Sequence, residues 1–295
     1  MPKLSDHQSN EFTKMIVLGD PGTGKTGALT SLVKAGYWLG ILDYDNGLEV
    51  LKQFLKHEYP EGLENVEYRT LRDKRKATSA GSIIDGPATA FADGLKMLDR
   101  WQYKQRDGSQ IDLGPPAEWG ANRVFVLDSG TLCARSAYDW REQLIPRGKS
   151  GLYDPRAVYF DAQKAMEALI AGITSEQFRT NVIFITHVNY VDNEDGTRKG
   201  YPNAIGKALS PTIGAYFNSI AQCETKTGGK RIIRTTPTAL IDLKNPAPFA
   251  MLPEYPISTG LADFFAVLRK GPSEHGKTTT AKDPVVHIHH GPVRR

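Results

Sequence analysis

Along the chain, short unbroken apolar runs alternate with longer stretches in which apolar residues recur every three or four positions. Met15–Leu18, Trp38–Leu42, Val124–Leu127 and Val182–Thr186 are of the first kind. Runs this short and this apolar predict strands buried on both faces, as in a parallel sheet. Between them, Gly27–Lys34, Leu48–His57, Ala88–Tyr103 and Ala157–Ile173 carry helical spacing, as does the stretch behind Ser129 to about Gln143. In Ala88–Tyr103 the apolar stripe is Phe91, Leu95, Leu98 and Trp101. Val66–Leu71 alternates like a strand, whereas RDKRKATSAGS (72–82), Arg106–Asn122 and Asn189–Pro202 read as loops. From Asn218 the texture changes. Ser219–Glu224 and Arg231–Thr235 flank the turn TKTGGK as a hairpin, Ala239–Leu243 reads as one more strand, and Leu261–Leu268 as a short amphipathic helix.

This order predicts an α/β domain over residues 14–270, with a mostly parallel central sheet covered by helices on both faces and a C-terminal antiparallel hairpin. Residues 1–13 are polar and read as a flexible arm; residues 271–295 read as a disordered tail. The tail's HIHH could bind a metal, but its surroundings favour a solvated segment.

Composition narrows the class. Of 295 residues, 40% are hydrophobic and 24% charged, as in a globular protein. No apolar run is long enough to span a bilayer, and the N-terminal segment lacks the apolar core of a signal peptide. Cys133 and Cys223 lie in apolar surroundings without ligand-like spacing, which suits buried thiols in a reducing cytoplasm. The formal net charge of +4 leans mildly toward polyanionic partners.

The chemistry starts behind the first strand. Gly19–Thr26 reads GDPGTGKT, which fits G-x-x-x-x-G-K-[ST] in the strand–loop–helix setting this phosphate-binding loop requires. Asp20, Pro21, Gly22, Thr23, Gly24, Lys25, Thr26 and Gly27 are expected to cradle a nucleoside triphosphate, ATP. Backbone N–H groups and the positive end of the helix face the phosphates, and Lys25 reaches the terminal ones. Thr26 and Asp128, the acid closing the strand Val124–Leu127, are the expected Mg²⁺ ligands. Hydrolysis needs a group to orient or deprotonate water. Asp45 is the candidate, with Asp43 as its rival, and both acids could instead cap the helix beginning near Gly47. His187, at the end of the strand Val182–Thr186, is placed to sense the γ-phosphate, although a purely structural histidine would also fit there.

The order of these parts resembles the RecA-like ATPase core, most of all the phage-encoded RecA-family ATPases that bind and anneal single-stranded DNA. LDYDNGLEVL is similar to the segment whose strand-end acid is the family's catalytic glutamate, VLDSG to the Mg²⁺ strand, and FITH to the sensor strand, with His187 where bacterial RecA has glutamine. LKNPAPF resembles the segment whose lysine, here Lys244, reaches a neighbouring subunit's ATP; an exposed strand lysine is the plain alternative. The resemblance implies single-stranded DNA as partner, homo-oligomers as filament or ring, and a single-strand-binding protein as a further candidate partner. It also implies two DNA-facing loops, one bearing Arg147, Lys149, Tyr153 and Arg156, the other Tyr190, Arg198, Lys199 and Tyr201. Cations and tyrosines suit unpaired nucleic acid. Aspartate in place of glutamate, and the lack of a separate N-terminal domain, argue for annealing rather than full strand exchange. A replication accessory ATPase, a small-molecule kinase with the excursion at 104–122 as lid, and a nucleotide-gated binding module stand as alternatives.

Overall fold

The computed structural model describes residue 3 and residues 11–79, 81–105, 107–146, 154–192 and 196–270. In chain order, β1 (Lys14–Leu18) leads through the glycine loop to α1 (Lys25–Lys34), then β2 (Trp38–Asp43), α2 (Glu49–Glu58) and β3 (Val66–Thr70). A hairpin of β4 (Arg75–Thr78) and β5 (Gly81–Ile84) precedes α3 (Ala90–Asp99), and a second, β6 (Gln102–Lys104) with β7 (Gln110–Asp112), follows it. Next come β8 (Gly120–Asp128), α4 (Gly130–Leu144), α5 (Pro155–Thr174) and β9 (Thr180–Thr186). The chain then forms the hairpin β10 (Val188–Asp192) and β11 (Arg198–Pro202), α6 (Gly206–Thr212), β12 (Ser219–Thr225), β13 (Arg231–Arg234), β14 (Glu254–Pro256) and α7 (Gly260–Lys270).

Eight strands form one sheet in the order β14-β13-β12-β1-β9-β8-β2-β3. The six from β12 to β3 run parallel, and β13 and β14 add antiparallel strands at one edge, so the expected fold class holds. Alternation along β1 explains why both faces are covered. Met15 and Val17 belong to the core shared with α1, α2 and α7; Ile16 and Leu18 belong to the core shared with α3, α4 and α5. Two asparagines tie down the start of β1, with Asn181 Oδ1 accepting from Thr13 N and Asn218 Oδ1 from Lys14 N, each at 3.0 Å. Phe12 and Thr13 of the expected arm are thus bonded to the sheet, while the remainder of the arm apart from Lys3 and Glu11, the whole tail and its HIHH lie outside the described residues.

Several local readings need correction. RDKRKATSAGS is not a plain loop, because Arg75–Thr78 and Gly81–Ile84 pair around a turn in which Gly81 takes φ 115°. The helix expected to reach Tyr103 stops at Asp99. Arg100 is extended, and Trp101, still fully buried, exchanges backbone hydrogen bonds with Gly114 and Leu113. The excursion that follows is partly the β6–β7 hairpin, and the polar loop after His187 is the β10–β11 hairpin. Ala239–Leu243 forms no strand. Thr238 Oγ1 accepts from Leu240 N and Ile241 N in a local turn that competes with a ladder, and β14 takes the edge position instead.

Candidate nucleotide-binding and catalytic site

The carboxyl ends of the parallel strands meet at the loop between β1 and α1. Gly22 and Gly24 take φ of 81° and 93°, a left-handed backbone that a side chain would strain. Gly19 is required for space, since a Cβ there would stand 2.4 Å from the Cys223 carbonyl oxygen. The loop is braced from inside. Thr23 Oγ1 donates to Asp20 O at 2.8 Å, and Lys25 Nζ donates to Gly19 O at 2.8 Å and Asp20 O at 2.9 Å. Helix geometry leaves the first N–H groups of α1 open toward the same hollow.

Pro21, Gly22, Gly24, Lys25, Thr26, Gly27, Asp45, Asp128 and His187 line one cleft of 330 Å³. Asp20 and Thr23 brace the loop behind it. Asp128, buried at the end of β8, accepts a 2.6 Å hydrogen bond from Thr26 Oγ1. Burial, reinforced by the charges of Asp45 and Asp43, pushes its carboxyl up to about 7, against the opposing pull of Thr26 and Lys25. The Asp128 carboxylate and the Thr26 hydroxyl in contact with it offer oxygen ligands of the kind a hard divalent cation takes. Burial likewise lowers the Lys25 ammonium. It also lowers His187, with the Lys25 charge as second cause, which favours the neutral imidazole.

The two candidate bases separate in space. Asp43 is buried, and its carboxylate accepts from Gly47 N at 3.2 Å and Thr70 Oγ1 at 3.0 Å, which ties down the turn into α2. Asp45 faces the cleft. Its Oδ1 accepts from Ser129 Oγ at 2.6 Å and Ser129 N at 3.2 Å, so Oδ2 is the oxygen left to meet a water.

Other expected residues lie elsewhere. Lys244 does not line this cleft; its Nζ donates to Phe217 O at 2.6 Å. Arg147, Lys149 and Tyr153 fall outside the described residues, and Arg156 is exposed in the first turn of α5. Tyr190 and Arg198 share the β10–β11 hairpin, the guanidinium 4.9 Å above the ring, and Tyr201 pairs with Asn189 in its ladder. Arg198 and Lys199 are each within ion-pair distance of an exposed aspartate, Asp192 at 3.6 Å and Asp242 at 3.0 Å. The Tyr190 hydroxyl donates to Asp20 Oδ2 at 3.3 Å, which links this hairpin to the phosphate loop.

Three lining residues were not anticipated. Val50 and Phe54, spaced one turn apart on α2, present apolar surface beside Gly27; that second apolar stripe next to buried Leu51 and Leu55 is a readable signal. Arg231 comes from β13, and its Cδ lies 3.1 Å from where a Cβ of Gly24 would stand. Only the folded hairpin brings it there, so no local pattern marks it.

A family profile described as an AAA domain matches residues 11–247. No curated protein matches the chain. Among solved structures, the RadB recombinase superposes with a TM-score of 0.38 at 15% identity, over 77% of this chain and 84% of that one. A prototypical ATPase from the type III secretion system of pathogenic bacteria gives 0.36 at 15% identity, over 72% of this chain and 51% of that one. The ATP synthase subunit NeqB of Nanoarcheaum equitans gives 0.38 at 10% identity, over 81% of this chain and 53% of that one. No helix among the described residues is long and apolar enough to cross a membrane.

Proposed function

We propose that this chain, which belongs to the AAA-domain family and is a P-loop ATPase, uses its nucleotide cycle to control the binding and annealing of single-stranded DNA. The observation that carries the proposal is the Tyr190–Asp20 hydrogen bond. It ties a hairpin bearing Arg198, Lys199, Tyr190 and Tyr201 to the loop that holds the phosphates. A change in phosphate occupancy thereby reaches a surface of cations and aromatic rings, the combination that suits unpaired bases. The two ion pairs there are exposed and weak, so DNA phosphates can replace the aspartates.

In the catalytic reading, the loop amides and Lys25 bind the β- and γ-phosphates. Thr26 and Asp128 are the residues that would hold Mg²⁺, which when bound offsets triphosphate charge. Asp45, oriented by Ser129, takes the proton of the water that attacks the γ-phosphorus as the bond to the β–γ bridging oxygen breaks. His187, which lines the same cleft, reports whether the γ-phosphate is present. Lys244, which lies outside its own chain's cleft, serves a neighbouring subunit's site in a homo-oligomer.

The test is phosphate release with and without single-stranded DNA, at low and raised salt. Turnover stimulated by single strands, with binding that falls steeply as salt rises, is the expected result. Absence of DNA binding at low salt with ATP and Mg²⁺ overturns the proposal.

A further inference from the structure

The hairpin β4–β5 belongs to no part of the nucleotide site, yet it concentrates charge. Residues 69–85 hold five cations, Arg69, Arg72, Lys74, Arg75 and Lys76, against two acids, Asp73 and Asp85, the latter bonded through its backbone N–H to the Lys74 carbonyl. That excess of +3 is most of the +4 of the entire chain. Asp73 is already engaged, its Oδ1 accepting from Thr89 N at 2.7 Å and Ala90 N at 2.9 Å at the start of α3.

Such a hairpin has no core of its own, because seven of its eight strand residues are exposed. It is held down instead. Arg75 pairs with Asp139 on α4, a carboxylate 3% exposed that Arg135 also reaches at 3.0 Å. Gln143 of α4 binds the chain just beyond β5, accepting from Ala88 N and donating to Gly86 O. Along β4 side chains alternate, so with Arg75 directed at α4, Lys74 and Lys76 occupy the other face, where Lys76 pairs with Ile83 in the ladder. Ile83 is 52% exposed, and among the described residues neither lysine is in an ion pair. The outward face is thus basic and locally apolar.

We infer that the outward face of β4–β5 is a second contact for single-stranded nucleic acid, with Lys74 and Lys76 on phosphates and Ile83 against the face of an unpaired base. This rests on the DNA reading above and extends it to a surface outside the two loops. A duplex would satisfy the lysines but keeps its base faces stacked away from Ile83, so unpaired strands fit better.

The test uses the full chain with ATP and Mg²⁺ and a fluorescent oligothymidylate of about 30 nucleotides, read by anisotropy across a salt series. The Lys74→Ala/Lys76→Ala double variant should bind about 10-fold more weakly at low salt, and the log–log salt slope should shrink by about 1.4, two phosphates at about 0.7 each. Lys74→Arg/Lys76→Arg should keep the wild-type slope, and turnover without DNA should be unchanged in both. Ile83→Ser should weaken binding without altering the slope. A wild type that binds the oligonucleotide while the double alanine variant matches it in affinity and slope overturns this inference and leaves the DNA reading intact. A wild type that binds no oligonucleotide overturns both. Capture by phosphatidylserine vesicles with no preference for the oligonucleotide also overturns the inference.

Discussion

Asp43 and Asp45 stand two positions apart at the end of β2 and use their carboxylates for different ends. Asp45 keeps Oδ2 toward the cleft, so Asp45→Asn should lower the rate of phosphate release by about 10²- to 10⁴-fold while ATP affinity changes little. Unchanged turnover would remove Asp45 from the chemistry. Asp43→Asn should instead cost about 1–2 kcal/mol of stability through its bonds to Gly47 and Thr70, read as a lower Tm. Lys14 offers a pH prediction. It is buried and, among the described residues, has no carboxylate partner, its Nζ donating to the carbonyls of Ile173, Phe178 and Thr180. Burial lowers its ammonium from 10.5 to about 7. Between those values the unfolded chain holds a proton that the folded one has released, so rising pH favours the fold over this window and has no such effect below it. Lys14→Met should lose that slope in Tm measured from pH 7 to 10, and should be less stable by about 1–3 kcal/mol because buried carbonyls lose their donor.

At the scale of elements, what could be read in advance tracks how local the cause is. β1, β2, β8 and β9 announce themselves as apolar runs because both of their faces are buried, and the phosphate loop announces itself because its glycines answer to local backbone geometry. The β4–β5 and β10–β11 hairpins do not. The strands of the first are exposed and those of the second mostly half-buried, so neither carries a clean apolar pattern, and docking on α4 and on the phosphate loop defines them. Arg231 is hidden for the same reason, since the sheet order carries it to Gly24. Asp128 was legible through its strand; the separation of Asp43 from Asp45 depended on Ser129, which is adjacent only after β8 pairs with β2. The hairpin link gives a prediction at this scale. Tyr190→Phe removes one neutral-to-carboxylate hydrogen bond, so turnover without DNA should stay near wild type. The ATP-dependent gain in DNA affinity should shrink by about 2- to 10-fold, measured by anisotropy with ATP and with ADP. An undiminished gain would show that the coupling runs elsewhere.

At the scale of the whole molecule, the position of Lys244 points beyond a single chain. Within one chain it is spent on the Phe217 carbonyl and does not line the cleft, so a role in hydrolysis requires a second copy to bring it there. An interface of that kind is heterologous: one subunit contributes the phosphate loop, the next the lysine, and the arrangement repeats as a ring or filament. Complementation distinguishes this from a lysine acting at home. Lys25→Ala alone loses phosphate binding, and Lys244→Ala alone supplies no lysine to any neighbour, so each homogeneous assembly should be nearly inactive. When the two are mixed in equal amounts and assembled at random, a site is intact only where the phosphate loop comes from the Lys244→Ala chain and the lysine from the Lys25→Ala chain. That is about one site in four, so the mixture should recover about a quarter of wild-type turnover. A lysine acting within its own chain would recover nothing, because no chain in the mixture carries both residues. Full activity of Lys244→Ala by itself would return Lys244 to the status of an exposed lysine bound to a carbonyl.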